Sequence, residues 1–129
     1  MLIQNIISFE QFKEYTDKYK YIIVNISASW CKPCISIKPQ IEKFISVIDE
    51  MDYIYLKIDN SIFDENIEFE NFFHLDKIPY FAFIKNGTIT DNFVSGDFNI
   101  VSKRLFDKIT NERNEDRKQY NNFNINEDF

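Results

Sequence analysis

Two cysteines separated by two residues, Cys31 and Cys34, are the side chains of this sequence best suited to covalent chemistry. They are the only cysteines among 129 residues, and they lie beside the only tryptophan, Trp30. A Cys-x-x-Cys pair between a predicted strand and a predicted helix is typical of a redox-active dithiol. As a crosslink the pair is weak, because a ring of about four residues stabilises a fold by roughly 2 kcal/mol. The spacing therefore indicates a pair that exchanges electrons.

An inert buried couple and half of a zinc site are the alternative interpretations of the same pair. A structural zinc site needs four ligands, and no second Cys/His pair completes the set. The only histidine, His74, lies five residues before Pro79 and has no nucleophile at a suitable spacing, so we expect a structural or surface residue. We therefore expect neither a metal nor a bound cofactor.

A strand before the pair and a helix after it must position the two thiols. The segment Tyr21–Ser27 is apolar almost throughout, which is typical of a central strand covered on both faces. Apolar residues at helical spacing predict a helix from about Cys34 to Glu50, with Pro39 inside it. A second strand, Asp52–Ile58, should run parallel to the first, because a helix of this length makes a βαβ crossover.

The remaining segments complete one domain, residues 1–110, followed by a polar C-terminal extension, residues 111–129. Before the central strand, we predict a short strand at Leu2–Ile6 and a helix that is capped by Ser8 and Gln11 and ends near Lys18. After Ile58, we predict an acidic helix within Ser61–Asp76 with a solvated charged face, and a hairpin of Tyr80–Lys85 and Thr88–Val94 around Asn86-Gly87. The last predicted helix starts at about Asn99 and turns Val101, Leu105 and Ile109 inward. The extension is expected to be helical at first and disordered from about Gln119.

Composition excludes several classes of partner. The hydrophobic fraction of 44% is enough for one core, and the formal charge of −6 comes without a cluster of lysines and arginines. This argues against nucleic acid and an anionic membrane surface as partners. No run of about 18 apolar residues predicts a transmembrane helix, and Met1–Ser8 shows no signal-peptide pattern. With no cysteine outside the pair, we expect a reducing compartment, the cytoplasm.

In chain order these motifs resemble the thioredoxin family over about Ser8–Ile109. The predicted order β-α-β-α-β-α-β-β-α matches, and the matching residues are Ala28-Ser29-Trp30-Cys31-Lys32-Pro33-Cys34, Pro39, Lys57-Ile58-Asp59, Ile78-Pro79 and Lys85-Asn86-Gly87. The resemblance implies an α/β thioredoxin fold, a three-layer α/β/α arrangement with a central mixed β-sheet. The segment between Asp59 and Pro79 is a few residues longer than usual, which predicts a longer third helix.

The resemblance also implies a reaction cycle and roles for the motif residues. Cys31 is the nucleophile that attacks a substrate disulfide, and Cys34 resolves the mixed disulfide by attacking Cys31. A helix N-terminus and the neighbouring charge of Lys32 favour the Cys31 thiolate, while Pro33 limits the flexibility of the ring. The redox-active disulfide needs an external reductase, expected to be an NADPH-dependent thioredoxin reductase.

Lys32, Asn25 and Tyr55 depart from the family pattern. Lys32 stands where the family most often has Gly, and a charge that stabilises the thiolate predicts a more oxidising couple. Asn25 stands where the family usually has a buried Asp that helps Cys34 lose its proton, and Tyr55 replaces the Lys that partners it. Because Asn cannot take up a proton, resolution should be slower; alternatively, Asn25 is a hydrogen-bonded core residue and water carries the proton.

A substrate groove beside the pair is implied as well. Pro79 should be cis and face the disulfide, and the backbone of Ile78 should pair with an extended substrate segment. Trp30 should offer an apolar contact patch, Gly96 should line the groove, and Tyr80 should make it narrower or more aromatic because the family commonly has Thr there. The alternative is that Ile78-Pro79 only begins a strand.

Two functions of different classes follow. The first is a monomeric thiol–disulfide oxidoreductase that reduces protein disulfides as an electron carrier in cell redox homeostasis. The second is a thioredoxin-fold binding module or redox-regulated adaptor that holds partners with little turnover. A weaker third reading, an oxidase or isomerase, would require an oxidising compartment and therefore a lost signal peptide.

Overall fold

The computed structural model describes residues 1–127, with the side chains of all except Glu65 and residues 120–127. Its elements are β1 (Leu2–Ile6), α1 (Phe9–Lys18), β2 (Tyr21–Ser27), α2 (Lys32–Ser46), β3 (Tyr53–Asp59), a 3₁₀ helix (Asn60–Glu65), α3 (Ile67–Phe73), β4 (Tyr80–Lys85), β5 (Thr88–Val94) and α4 (Phe98–Glu127). Contacts divide the chain into two compact units, Met1–Phe98 and a second that begins at Asn99. The sheet and both cysteines belong to the first unit, and the proposed domain division at residue 110 stays a prediction.

The five strands form one mixed sheet in the order β1-β3-β2-β4-β5. Strands β1, β3 and β2 are parallel, whereas β4 runs antiparallel to β2 and β5 antiparallel to β4. This confirms the βαβ crossover and the mixed sheet. The carboxyl end of β2, a central strand, leads directly into the Cys-x-x-Cys segment. The register also pairs Asn25 of β2 with Lys57 of β3.

The hairpin between β4 and β5 turns at the predicted dipeptide. Asn86 has φ 51° and Gly87 has φ 79°. Both central residues of the type I′ turn that suits two-residue hairpins require positive φ, and Asn and Gly adopt it most readily. The turn therefore confirms the prediction from Asn86-Gly87.

Aromatic rings from α1 and α3 share one core. Phe12 of α1 is completely buried, and its ring centroid lies 5.8 Å from that of Phe69 and 5.4 Å from that of Phe73. Ser8 caps α1 as predicted, since its Oγ accepts from the Gln11 N–H at 3.1 Å. The Gln11 side chain reaches back one residue further than a capping box requires, to the N–H of Ile7 at 2.8 Å.

The prediction of a longer third helix is wrong. The extra residues form the 3₁₀ helix, and α3 has only seven residues. Asn66 separates the two helices because its side chain accepts from the Glu68 N–H at 3.0 Å and so starts α3. His74, with φ 49°, ends α3 and donates its N–H to the Glu70 carbonyl at 3.0 Å. His74 is exposed, which confirms its expected place at the surface.

Helix α4 continues beyond the predicted end of the ordered chain. It is helical through the region from Gln119, where the sequence predicts disorder, to Glu127. Its inward residues are as expected, because Val101, Leu105 and Ile109 are buried. The prediction for residues 128–129 lies outside the described residues. Within the described part of the chain, no helix is both long and apolar enough to cross a membrane.

Candidate active site

Cys31 and Cys34 form a disulfide at the N-terminus of α2, with their Cα atoms 5.3 Å apart. Cys31 is the N-cap residue of this helix, and its Sγ accepts from the Cys34 N–H at 3.3 Å. The first N–H groups of a helix lack partners within it and carry partial positive charge. After reduction, the same N–H would face a Cys31 thiolate. The local fold therefore favours negative charge on this sulfur.

Helix α2 begins two residues earlier than the sequence predicts, at Lys32. Pro33 lies in the first turn, where a missing N–H costs no hydrogen bond and the fixed φ suits a helix. The early start places Cys31, and not Lys32 or Pro33, at the cap. The helix ends at Ser46 instead of near Glu50.

Four residues form what we call the outer side of the disulfide: Trp30, Lys32, Pro33 and Gly96. All four are exposed, and 72% of Trp30 is accessible to solvent. The cysteines themselves are largely covered, with 6% of Cys31 and 5% of Cys34 exposed. Trp30 therefore presents an apolar surface beside a nearly buried disulfide.

Gly96 lies directly against the Cys-x-x-Cys segment. A Cβ atom at this position would be 2.8 Å from the Cβ of Pro33, closer than van der Waals contact allows. Glycine is therefore required by close approach of the two chain segments. This places Gly96 at the predicted groove.

The Ile78–Pro79 peptide bond is cis, as predicted. Ile78 packs against Ala28, Cys31 and Cys34, and the buried Pro79 lines a small cavity together with Cys34. The Ser95 N–H donates to the Pro79 carbonyl at 3.2 Å, which ties the end of β5 to this segment. The structure therefore brings Ile78 and Pro79 to the disulfide.

The prediction that Tyr80 narrows the groove is wrong. Only 6% of Tyr80 is exposed, and its ring packs edge-on against Phe73 with a centroid distance of 6.1 Å. Side chains alternate along a strand, so Tyr80 points into the same core as Ala82 and Ile84. Burial raises the pKa of Tyr80, and within the described part of the chain its hydroxyl has no hydrogen-bond partner.

Four residues form what we call the inner side of the disulfide: Asn25, Glu42, Tyr55 and Lys57. Together with Cys34 they line a small cavity with about 10 Å³ of free space, roughly the room one water needs. Asn25 is half-buried, and its Nδ2 donates to the Tyr80 carbonyl at 3.3 Å. This fits the alternative in which Asn25 is a hydrogen-bonded core residue.

Sequence reasoning missed the two charged residues of the inner side. Lys57 Nζ forms an ion pair with Glu42 Oε1 at 2.6 Å, with 18% and 30% of the side chains exposed. Tyr55, almost completely buried, stands at the family's Lys position, and its pKa is raised far above the ordinary value by burial and, less, by the Glu42 carboxylate. The position of Lys57 could have been predicted from strand alternation. It follows Tyr55 by two residues in β3, so the two side chains lie on the same face of the sheet.

No group of three or more His, Cys, Asp and Glu side chains that could hold a metal ion occurs among the residues whose side chains are described.

Comparisons with known proteins agree with this geometry. The sequence model of the thioredoxin family matches residues 4–110. Over 96 residues the chain is 34% identical to thioredoxin from Malassezia sympodialis, which covers 74% of this chain and 88% of the relative. The crystal structure of that thioredoxin superposes with a TM-score of 0.68 and 30% identity, over 83% of this chain and 93% of the other.

A longer relative is monothiol glutaredoxin-4 of Saccharomyces cerevisiae, with 31% identity over 100 residues and 75% of this chain. The chain spans only 40% of that protein's length. The fold has the five-stranded mixed sheet and four helices of thioredoxin structures. With the Cys31–Cys34 disulfide at the start of α2 and the family match over most of its length, this chain belongs to the thioredoxin family of thiol–disulfide oxidoreductases.

Proposed function

We propose that this protein reduces disulfides in other proteins, as a monomeric cytoplasmic electron carrier that an NADPH-dependent thioredoxin reductase recycles. The observation that carries the proposal is the Cys31–Cys34 disulfide at the N-terminus of α2, where the Cys34 N–H points at Cys31 Sγ. A pair built only to stabilise the fold would contribute little at this spacing. The absence of any cysteine beyond the pair from the sequence supports a reducing compartment.

The reaction has two steps. The Cys31 thiolate attacks one sulfur of a substrate disulfide, which forms a mixed disulfide and releases the other sulfur as a thiolate that takes up a proton. Cys34 then loses its proton and attacks Cys31 Sγ, and the second substrate sulfur leaves with the electron pair and is protonated. The substrate gains two electrons and two protons, and the Cys31–Cys34 pair is oxidised. The reductase returns the two electrons.

The outer side, together with Ile78, supplies a contact surface for an extended substrate segment. Trp30 is exposed, Ile78 packs against the two cysteines, and Gly96 lies against Pro33. The peptide groups of Ile78 are suited to pair with such a segment in a short β-augmentation. The same exposed surface favours the second candidate, an adaptor that holds partners with little turnover.

Turnover separates the two candidates. The assay supplies NADPH and a thioredoxin reductase and follows the reduction of a protein disulfide, with Cys31→Ser as the matched inactive control. Turnover that disappears in Cys31→Ser supports the reductase. Partner binding without turnover would instead support the adaptor, and activity with a chemical dithiol alone would indicate a different electron donor or an oxidase.

A further inference from the structure

The second reaction step needs a proton acceptor for Cys34. A thiol is a poor nucleophile, so Cys34 must lose its proton before it attacks Cys31. With only 5% of Cys34 exposed, bulk water has little access to this thiol. The acceptor has to be found among the groups that line the spaces beside it.

Most of these groups are unable to accept a proton. The Asn25 amide does not take one up at neutral pH, and the ammonium groups of Lys38 and Lys57 have no acceptor lone pair. Tyr55 is neutral, since burial raises its pKa. Of the residues around the small cavity beside Cys34, only Glu42 carries a carboxylate.

The geometry of α2 brings Glu42 toward Cys34. Eight residues of helix separate them, about 12 Å along the axis, and the longer Glu42 side chain, which leans toward the helix N-terminus, extends in the direction of Cys34. The Lys57 ammonium holds the carboxylate at this place through the 2.6 Å ion pair. Glu42 and Cys34 line one cavity, which has room for about one water.

We propose that the Glu42 carboxylate, positioned by Lys57, accepts the proton of Cys34 through water in this cavity during the resolution of the mixed disulfide. The proton passes from Cys34 to Glu42 as Cys34 Sγ bonds to Cys31 Sγ and the substrate thiolate leaves. Glu42 afterwards releases the proton to solvent. The inference rests on the proposed function, in which Cys31 forms the mixed disulfide and Cys34 resolves it.

Asp59 is the competing carboxylate. It lines a wider groove of about 440 Å³ beside Cys34, together with Lys38 and Lys57. Its Oδ1 accepts from the Ser61 N–H at 2.9 Å, an interaction that an asparagine oxygen would preserve. Asp59→Asn is therefore a matched control for Glu42→Gln, because each change removes one carboxylate and keeps the size of the side chain.

The test isolates the resolution step. Reduced protein is first converted at low pH to a mixed disulfide between Cys31 and an aromatic thiol whose thiolate is coloured. A jump to higher pH then starts resolution, and release of the colour gives its rate, with Cys34→Ser as the blank. Failure to form the Cys31 adduct would count against the proposed function, whereas formation followed by Glu42-independent release counts against this inference only.

Glu42→Gln should slow the release by about tenfold or more near neutral pH, since a positioned general base typically contributes about 10²–10⁴-fold. The deficit should shrink as pH rises, because hydroxide then deprotonates Cys34 directly. Glu42→Asp should retain part of the rate. Asp59→Asn should release at the wild-type rate. Adding Asn25→Asp to Glu42→Gln should restore part of the loss, because it returns a carboxylate to the same cavity.

Two results would overturn the proposal. One is wild-type release by Glu42→Gln at every pH. The other is a loss that is equal at all pH values, which would show that Glu42 has only a structural role. The thermal unfolding of each variant is also measured, to identify a misfolded protein. If Glu42→Gln is misfolded, the pH dependence of the release rate is compared between the wild type and Glu42→Asp.

Discussion

The outer and inner sides of the disulfide differ in how closely they follow the family pattern. On the outer side, Trp30 and Pro33 belong to the motif that resembles the family, and Gly96 lies against Pro33. On the inner side, an amide replaces the expected acid at Asn25, while an ion pair from α2 and β3 enters the same cavity. In the mechanism that we propose, the two reaction steps use different sides. Substrate capture can therefore stay typical of the family while the route of the proton changes.

The largest effect is expected on the outer side, from Trp30→Ala. An exposed tryptophan at the centre of a contact surface commonly contributes about 2 kcal/mol of binding, so kcat/KM for a protein disulfide should fall roughly 30-fold. Reduction of a small aromatic disulfide, which cannot reach across the groove, should change little. The thermal midpoint should also stay constant, because 72% of Trp30 is exposed. An equal loss on both substrates would contradict a docking role for the outer side.

Gly96→Ala tests the close approach between Gly96 and Pro33. The added methyl group has to displace Pro33 or the chain around Gly96, which should destabilise the fold by about 1–3 kcal/mol, as overpacking does. Protein-disulfide reduction should fall as well, since the groove changes shape. Gly87→Ala is the matched control. An alanine there is strained by the φ of 79°, but no atom lies near the new Cβ. This substitution should therefore destabilise the fold by about 1–2 kcal/mol and leave the activity intact. Denaturant unfolding and the turnover assay measure both effects.

Alkaline stability tests the burial of Tyr55 on the inner side. The pKa of Tyr55 is raised in the folded state, so the folded protein keeps a proton that the unfolded chain loses above about pH 10. Stability from this group is fully present below that pH and is lost as pH rises further, by about 1.4 kcal/mol per pH unit. In Tyr55→Phe, the unfolding free energy should therefore fall less steeply above about pH 10, by about 1.4 kcal/mol per pH unit, because one fewer proton is lost on unfolding. An unchanged slope in denaturant titrations would show that Tyr55 ionises as freely as in the unfolded chain.

The smallest effect is expected from Lys32→Gly. The attraction between an exposed ammonium and a nearby thiolate contributes about 0.2–1 kcal/mol, which corresponds to roughly 4–20 mV for a two-electron couple. Removing the charge that favours the thiolate should make the couple more reducing by that amount. Lys32→Arg keeps the charge and should leave the potential unchanged. Redox titration against a glutathione buffer measures both, and a shift of equal size in Lys32→Arg would rule out charge as the cause.

Local signals in the sequence were sufficient for the elements that carry the disulfide. The turn at Asn86-Gly87, the apolar strand Tyr21–Ser27 and the capped start of α1 each depend on neighbours close in the chain, and each is confirmed. The 3₁₀ helix was missed because the hydrophobic spacing of its residues resembles that of a continuous helix. The break comes from a single cap, Asn66.

Apart from the face on which Lys57 lies, which follows from strand alternation, the inner side could not be predicted in the same way, because it depends on contacts between distant segments. The pairing of Asn25 with Lys57 follows from the register of β2 and β3, and Glu42 meets Lys57 only when α2 lies beside β3. The prediction for Tyr80 was wrong for a different, local reason. Its position after Pro79 suggested the groove, but the alternation of side chains along β4 turns its ring into the core.

The most direct test of the division between the two sides is covalent trapping with the two serine variants. Each reduced variant is mixed with a protein disulfide, and the adducts are separated without reductant and mapped by mass spectrometry. The account predicts that Cys34→Ser accumulates a mixed disulfide at Cys31, because capture proceeds and resolution cannot follow, while Cys31→Ser accumulates none. A stable adduct at Cys34 in Cys31→Ser, without one in Cys34→Ser, would reverse the two roles and contradict the account.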